Sequence, residues 1–509
     1  MPIALINGKI YTLDKQNSIA EAISIENNKI HQIGTTEEIQ RSKLIFDRRI
    51  DLKGKTVLPG FIDGHTHLGH SGLESLWVDL SKTSSTQEIL ELLKHRIEKT
   101  PAGDWVVGVM YDDAGWRYQE CLTKASLDAL STAHPIFLRR VCGHYGVVNS
   151  KALEHISTDW KYVDRETGVL LEDAVLGFMR IIKPDLNMRI EGTRKVLENA
   201  YSLGLTATRE VVNFQSVQSY HHLDKNNELK LRIFAYVIYD DLMDFFAKYL
   251  DRSLDSDNFK IIGVKIFLDG SLGARTAALK EPYSDDLDNY GKLLNSDDGL
   301  KNIFEDIKTI GYSMMAHAIG DRAIQQFIDI YKKVFIDEIP DNPKMHSLEH
   351  VEVIDSELLD ELKALGIVVS SQPNFAGRWS NLGGMNEQRL GKERLLRCNA
   401  YKEIIDKGIP VIFGSDSMPL DPLFGLKSAI FHPIKSQRVS PLDAVEAYTQ
   451  TCYKIFKLDQ KFGSLEPGKM ADLVILTNDP IEEPNFDDIK IAGTIINGKI
   501  VYSNGLDEN

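Results

Sequence analysis

The sequence predicts an α/β fold: a (β/α)8 TIM-like barrel, with a small β-sandwich formed by both chain termini and a subdomain inserted after the first barrel strand. Three observations lead there. Short, turn-linked β runs at the N-terminus recur in the same style at the C-terminus. Between them apolar strands alternate with amphipathic helices in βα order, the pattern of a parallel barrel. One connection, from about Leu68 to Leu205, is far too long for an ordinary βα loop.

The chain opens with brief strands at Ile3 to Ile6, Lys9 to Thr12 and Ala22 to Ile25, separated by the turn signals Asn7-Gly8 and Asn27-Asn28. Asp472 to Leu476, Gly493 to Ile496 and Lys499 to Tyr502 close it, with Asn497-Gly498 as a turn. Each half offers an open sheet with an apolar face that needs a partner, and pairing the termini supplies it. The expected organisation is residues 1–56 and 465–509 as sandwich and 57–464 as barrel. The apolar run Thr56-Val57-Leu58 and Phe61-Ile62 reads as one short buried strand. Barrel strands are then expected to end near His67, Glu210, Tyr239, Lys265, His317, His350, Ser371 and Asp416. Helices are expected over Leu300 to Ile310, Arg322 to Val334 and Asp355 to Leu365. The insertion, about residues 69–205, is expected to hold a helix from Thr86 to Lys99 and strands at Trp105 to Met110 and Pro135 to Val141.

Composition narrows the class. A formal net charge of -15 argues against nucleic acid or an anionic membrane as partner. The four cysteines, Cys121, Cys142, Cys398 and Cys452, are widely spaced, which fits a reducing compartment better than a disulfide scaffold. The N-terminus lacks a basic region followed by a long apolar core, and no run approaches 18 apolar residues. A soluble cytoplasmic protein is expected.

The chemistry is read at the strand ends. His65 and His67 are two apart after an apolar strand, so both rings can aim at one ion; the alternative is a surface turn that carries two histidines. His317 and His350 each close a strand, where a lone histidine is more often structural. Asp416 follows the apolar run Val411 to Gly414 and needs a buried partner. Lys265 sits inside an apolar strand, either ion-paired or snorkelling, or neutral and converted by CO2 to an anionic carbamate.

The set Gly64-His65-Thr66-His67, Lys265, His317, His350 and Asp416 resembles the amidohydrolase superfamily, in its binuclear subtype with a carboxylated lysine. The phrases Val264 to Thr276 and Leu138 to His144 with Asn149-Ser150 look like the amidohydrolase family 3, YtcJ-like branch. Gly463 to Val474 looks like that superfamily's return to its β-sandwich. The resemblance implies two divalent ions, zinc being expected. His65, His67 and Asp416 would hold the more buried one, and His317 and His350 the other. Lys265 would bridge them as a carbamate. It also implies hydrolysis of a non-peptide C–N bond of a small molecule, an amide or cyclic amide such as an N-acyl or N-formyl compound, by a metal-activated hydroxide. Asp416 would be the catalytic proton shuttle.

Weaker candidates for substrate binding are Tyr111, Trp116 and His144 in the insertion, each equally readable as packing, and Glu172, which could reach the metals or cap a helix. Arg275 could bind a substrate carboxylate or pair with Asp269 or Asp285. Asp63 could orient a ligand histidine, and His70 reads as surface. Two other functions share the fold: a small-molecule-binding regulatory protein without turnover, and a deaminase or isomerase. The presence of the full expected ligand set favours the enzyme, and Lys265 favours two metals over the usual one-metal deaminase. A small-molecule substrate is the expected partner, and a homodimer the assembly considered.

Overall fold

The computed structural model describes residues 2–113, 122–140, 145–171, 173–182, 184–242, 245, 254–339, 341–482 and 485–508. Two compact units divide the chain: Met1–Leu68 with Leu197–Asn509, and Gly69–Val196.

Eight parallel strands in chain order form the centre of the first unit. They are β1 (Phe61–Thr66), β2 (Leu205–Val212), β3 (Arg232–Ile238), β4 (Phe259–Phe267), β5 (Ser313–Ala318), β6 (Ser347–His350), β7 (Val368–Ser371) and β8 (Val411–Phe413). Strands covered on both faces read as nearly continuous apolar runs, and β3, Arg-Ile-Phe-Ala-Tyr-Val-Ile, is an example. The helices between them have sharp ends. Helix Asp297–Ile310 starts at Ser296, whose hydroxyl accepts from Gly299 N, and stops at Gly311 with φ 74°. Helix Asp321–Val334 buries Ala323, Ile324, Phe327, Ile328 and Tyr331 on one face.

Every neighbouring pair from β1 to β8 is joined by a ladder, whereas β1 and β8 meet through a close glycine seam. A Cβ on Gly64 would fall 2.5 Å from Ile412 Cγ2 and 2.8 Å from the Phe413 carbonyl oxygen. On Gly414 it would fall 2.5 Å from His65 N. At both positions a larger residue would force its neighbours to shift.

The apolar run expected as one strand is two. Pro59-Gly60 divides it: Thr56–Pro59 leaves the barrel and pairs antiparallel with Leu473–Leu476, while Phe61 begins β1. The terminal sandwich consequently interleaves the chain ends. Its six-stranded sheet runs Lys499–Ser503, Ile491–Ile496, Leu473–Leu476, Thr56–Pro59, Lys9–Tyr11, Ile19–Ala20. The five-stranded sheet runs Asp507–Glu508, Arg48–Asp51, Ile3–Ile6, Ala22–Glu26, Lys29–Gly34. Ile10, Val57, Leu473, Ile475 and Ile495 pack with Ile3, Leu5, Ile23, Ile25 and Ile50 between them.

The second unit holds a mixed five-stranded sheet, Val78–Asp79, Val106–Tyr111, Ile136–Arg140, Tyr145–Val148 and Val169–Leu171. Helix Thr86–Ile97 is capped by Ser85. The unit ends within helix Leu186–Ser202, before β2 begins. Among the described residues no helix is long and apolar enough to cross a membrane.

Replacing Gly64 with alanine should destabilise the fold by about 1–3 kcal/mol, the usual range for overpacking, read as a lower denaturant midpoint. An unchanged midpoint would show that the seam yields without strain.

Candidate metal centre

At the C-terminal end of β1 the rings of His65 and His67 converge on Asp416. His67 Nε2 lies 3.1 Å and His65 Nε2 3.7 Å from Asp416 Oδ1, and the three side chains offer donor atoms all within 4.8 Å of one another. Asp416 lies past the end of β8, and its backbone bends through left-handed conformations, φ 53° at Asp416 and 59° at Ser417. Hydrogen bonds to β1 hold that bend. Asp416 N donates to the His65 carbonyl at 2.8 Å, and His67 N donates to Ser417 Oγ at 3.0 Å. Asp63 Oδ1 accepts from both His65 N, at 3.1 Å, and Ser415 N, at 2.9 Å. Asp63 thus fixes the backbone beneath the site, where the sequence had suggested a hold on a histidine ring.

Lys265, His317 and His350 stand beside this cluster. Lys265 Nζ is 3.3 Å from His65 Nε2 and 4.9 Å from the Phe267 ring centroid. The His65 and His350 centroids are 5.1 Å apart and those of His317 and His350 4.4 Å. Adjacent residues on a strand normally face opposite ways, yet Glu349 and His350 both reach His65. Positive φ at His350 (73°) and Val351 (52°) breaks the alternation there, the kind of local strain that collects at functional sites. His350 Nδ1 donates to Gln372 Oε1 at 2.7 Å, and its ring stacks on Phe375. His317 Nε2 donates to the Gly270 carbonyl at 3.0 Å.

Burial sets the charge states. It lowers His65 to about 4 and His317 to about 3, with the Lys265 charge adding to both shifts, and holds His350 well below the ordinary value. Lys265 is brought down to about 8, again by burial. Asp416 is pushed up by burial, but the His67 hydrogen bond and the surrounding imidazoles outweigh this and keep it strongly acidic. Neutral rings beside an ionised carboxylate are what a divalent cation needs from its ligands.

Sequence reasoning missed the buried charges that support the rings. Glu349 Oε2 lies 2.6 Å from His65 Nδ1, and Arg209 pairs with Glu349 at 3.1 Å. Glu210 accepts from Thr66 Oγ1 and Leu68 N, holding the turn after the histidine pair. Arg209 and Glu210 stand among uncharged residues in Leu205–Val212, much as Lys265 does in its own strand, whereas Glu349 lies in the mostly polar run Ser-Leu-Glu-His.

The remaining candidates are scattered. Tyr111 is buried in the core of the second unit with Val78, Leu80 and Leu138. Arg275 is held in bidentate fashion by Asp285, at 3.1 and 2.9 Å. Asp269 instead accepts the backbone N–H groups of Ala278, Ile319 and Gly320. His70 is exposed and faces Glu74. Trp116, His144 and Glu172, with Cys121 and Cys142, lie outside the described residues. Cys398 and Cys452 are buried free thiols.

A family profile described as "Amidohydrolase family" matches residues 48–502. The chain is 28% identical to the Bacillus subtilis protein named "Putative amidohydrolase YtcJ", over 97% of this chain and 98% of that one. It is 23% identical to the N-substituted formamide deformylase of Arthrobacter pascens, with 98% of each chain covered. An uncharacterised metal-dependent hydrolase from Pyrococcus furiosus superposes with a TM-score of 0.82 at 28% identity, covering 95% of this chain and all of that one.

His65→Ala should abolish tight divalent-ion binding, measured by elemental analysis of protein purified without chelator; full occupancy in that variant would remove His65 from the ligand set. Burial keeps the His65, His317 and His350 rings neutral into acid. Zinc uptake by stripped protein should therefore persist at pH 5.5 and collapse near pH 4, where His65 takes its proton. Loss already between pH 7 and 6 would count against a His65 ring held neutral by burial.

Proposed function

Because this chain belongs to the amidohydrolase family, we propose that it is a metal-dependent hydrolase that cleaves a non-peptide C–N bond, an amide or cyclic amide, of a small molecule in the cytoplasm. The observation that carries this reading is the convergence of His65, His67 and Asp416 within 4.8 Å, beside Lys265, His317 and His350. N-acyl and N-formyl compounds are the first class to test, since the Arthrobacter relative is named for N-substituted formamides.

The donor set fits two divalent ions, and imidazole with carboxylate suits zinc. His65, His67 and Asp416 would hold one, and His317 and His350 the other. Lys265 would serve both as a carbamate, formed when its neutral amine adds to CO2 and releases a proton. A cationic lysine so deeply buried beside two metals would be electrostatically untenable. Ions bound there would acidify water and polarise the scissile carbonyl.

The chain's own residues do the rest. Asp416, anchored by its backbone N–H to the His65 carbonyl, takes the proton of the attacking water and returns it to the leaving nitrogen. Gln372 and Gly270 accept the ring protons of His350 and His317, which fixes the nitrogen each ring leaves basic.

Three measurements test this. Metal analysis should find two ions per chain and mass spectrometry of the intact protein a CO2 adduct lost in Lys265→Ala; a metal-loaded protein with a free Lys265 amine would refute the bridge. Asp416→Asn should keep the fold and lose turnover by about 10²–10⁴-fold, because an amide cannot accept the proton. Near-normal turnover at matched metal content would leave Asp416 a structural carboxylate.

A further inference from the structure

We infer that Glu349 on β6 and Arg209 on β2 are positioning residues that fix the tautomer and aim of His65, so that the metal affinity of the site is set by two side chains that touch no ion. The inference rests on the metal reading above and concerns how the site is held ready.

The contacts form an unbroken line across the barrel interior. Both Glu349 and His65 are fully buried, and Arg209 is 1% exposed. Glu349 Oε2 lies 2.6 Å from His65 Nδ1. The other carboxylate oxygen, Oε1, accepts from Ser347 Oγ at 2.6 Å and Arg209 Nη2 at 3.1 Å. Arg209 donates further through Nη2 to Ser347 Oγ at 2.6 Å and through Nη1 to the Gly64 carbonyl at 3.1 Å. Its guanidinium lies 4.9 Å over the Tyr236 ring centroid. Ring and preceding backbone of His65 are thus held from the same guanidinium, one through Glu349 and one directly.

A carboxylate has only acceptors to offer, so His65 must carry its proton on Nδ1. Nε2 is then left with its lone pair, and Nε2 is the atom near Asp416 and Lys265. An imidazole that must both choose a tautomer and stop rotating before it captures a cation binds less tightly than one already fixed. Plain filling of the interior by paired charges accounts for the Arg209–Glu349 contact. It does not account for a carboxylate oxygen spent on the one ring nitrogen that must not bind metal.

Glu349→Gln separates the two accounts, since it keeps the volume and offers either an acceptor or a donor to Nδ1. Zinc affinity, measured by chelator competition on stripped protein, should fall about 10–100-fold, with the circular dichroism spectrum unchanged. Histidine-selective nitrogen NMR of the stripped proteins should show His65 protonated on Nδ1 in the wild type and a mixed tautomer in the variant. Arg209→Lys, which keeps the charge and loses the fork, should give an intermediate affinity. Unchanged zinc affinity in a folded Glu349→Gln protein would overturn the inference. Should that variant fail to fold, the wild-type spectrum still decides: a His65 protonated on Nε2 overturns the relay. A wild-type protein that takes up no zinc overturns the metal reading and the relay with it.

Discussion

One carboxylate oxygen holds the candidate site together without belonging to it. Asp63 Oδ1 accepts backbone N–H groups from His65 and from Ser415, joining the first barrel strand to the loop after the last. The two strands approach closely only because Gly64 and Gly414 carry no side chain. Everything near the metal donors follows from that junction. His65 and His67 arrive on one side of it and Asp416 on the other, and the left-handed bend at Asp416 and Ser417 turns the carboxylate back toward the rings. Burial raises Asp63 to about 7, so keeping it in place costs stability that a surface junction would not, and the cost is accepted where geometry matters most.

Several charges buried in the barrel interior have an assigned neighbour. Arg209 is kept protonated by Glu349 and Tyr236 against the cost of burial. Glu349 is held ionised by Arg209 and His65 despite the same cost. Asp269 receives three backbone N–H groups beside His317. Removing one member of such a network leaves its partner unpaired in a low-dielectric space. The same arrangement restricts the His65 ring to one orientation.

Much of this was legible in the sequence. The strand ends at His67, Lys265, His317 and His350 were marked by polar residues closing apolar runs, because parallel strands are covered on both faces and leave no other place for them. The break at Pro59-Gly60 was not, since only the remote partner Leu473–Leu476 shows that the run changes sheets there. Arg209 carried a local signal like that of Lys265, while Glu349 sat in the polar run Ser-Leu-Glu-His; their pairing runs across the barrel, and register between strands that are not neighbours is invisible in a linear pattern. Arg275 illustrates the same limit: Asp269 and Asp285 were equal partners on paper, and the fold gives Asp269 to backbone amides and Asp285 to the guanidinium.

The interleaved terminal sandwich has a consequence for how the chain comes into being. Val57 is paired in register with Ile475, so this strand waits for a partner made about four hundred residues later. At a typical ribosomal pace of roughly 5–20 residues per second, that edge stands open for about 20–80 s. The open edge is short and ends in Pro59, a residue with no N–H to offer a passing strand. The proline that divides sandwich from barrel thus also guards this edge until Leu473–Leu476 emerges.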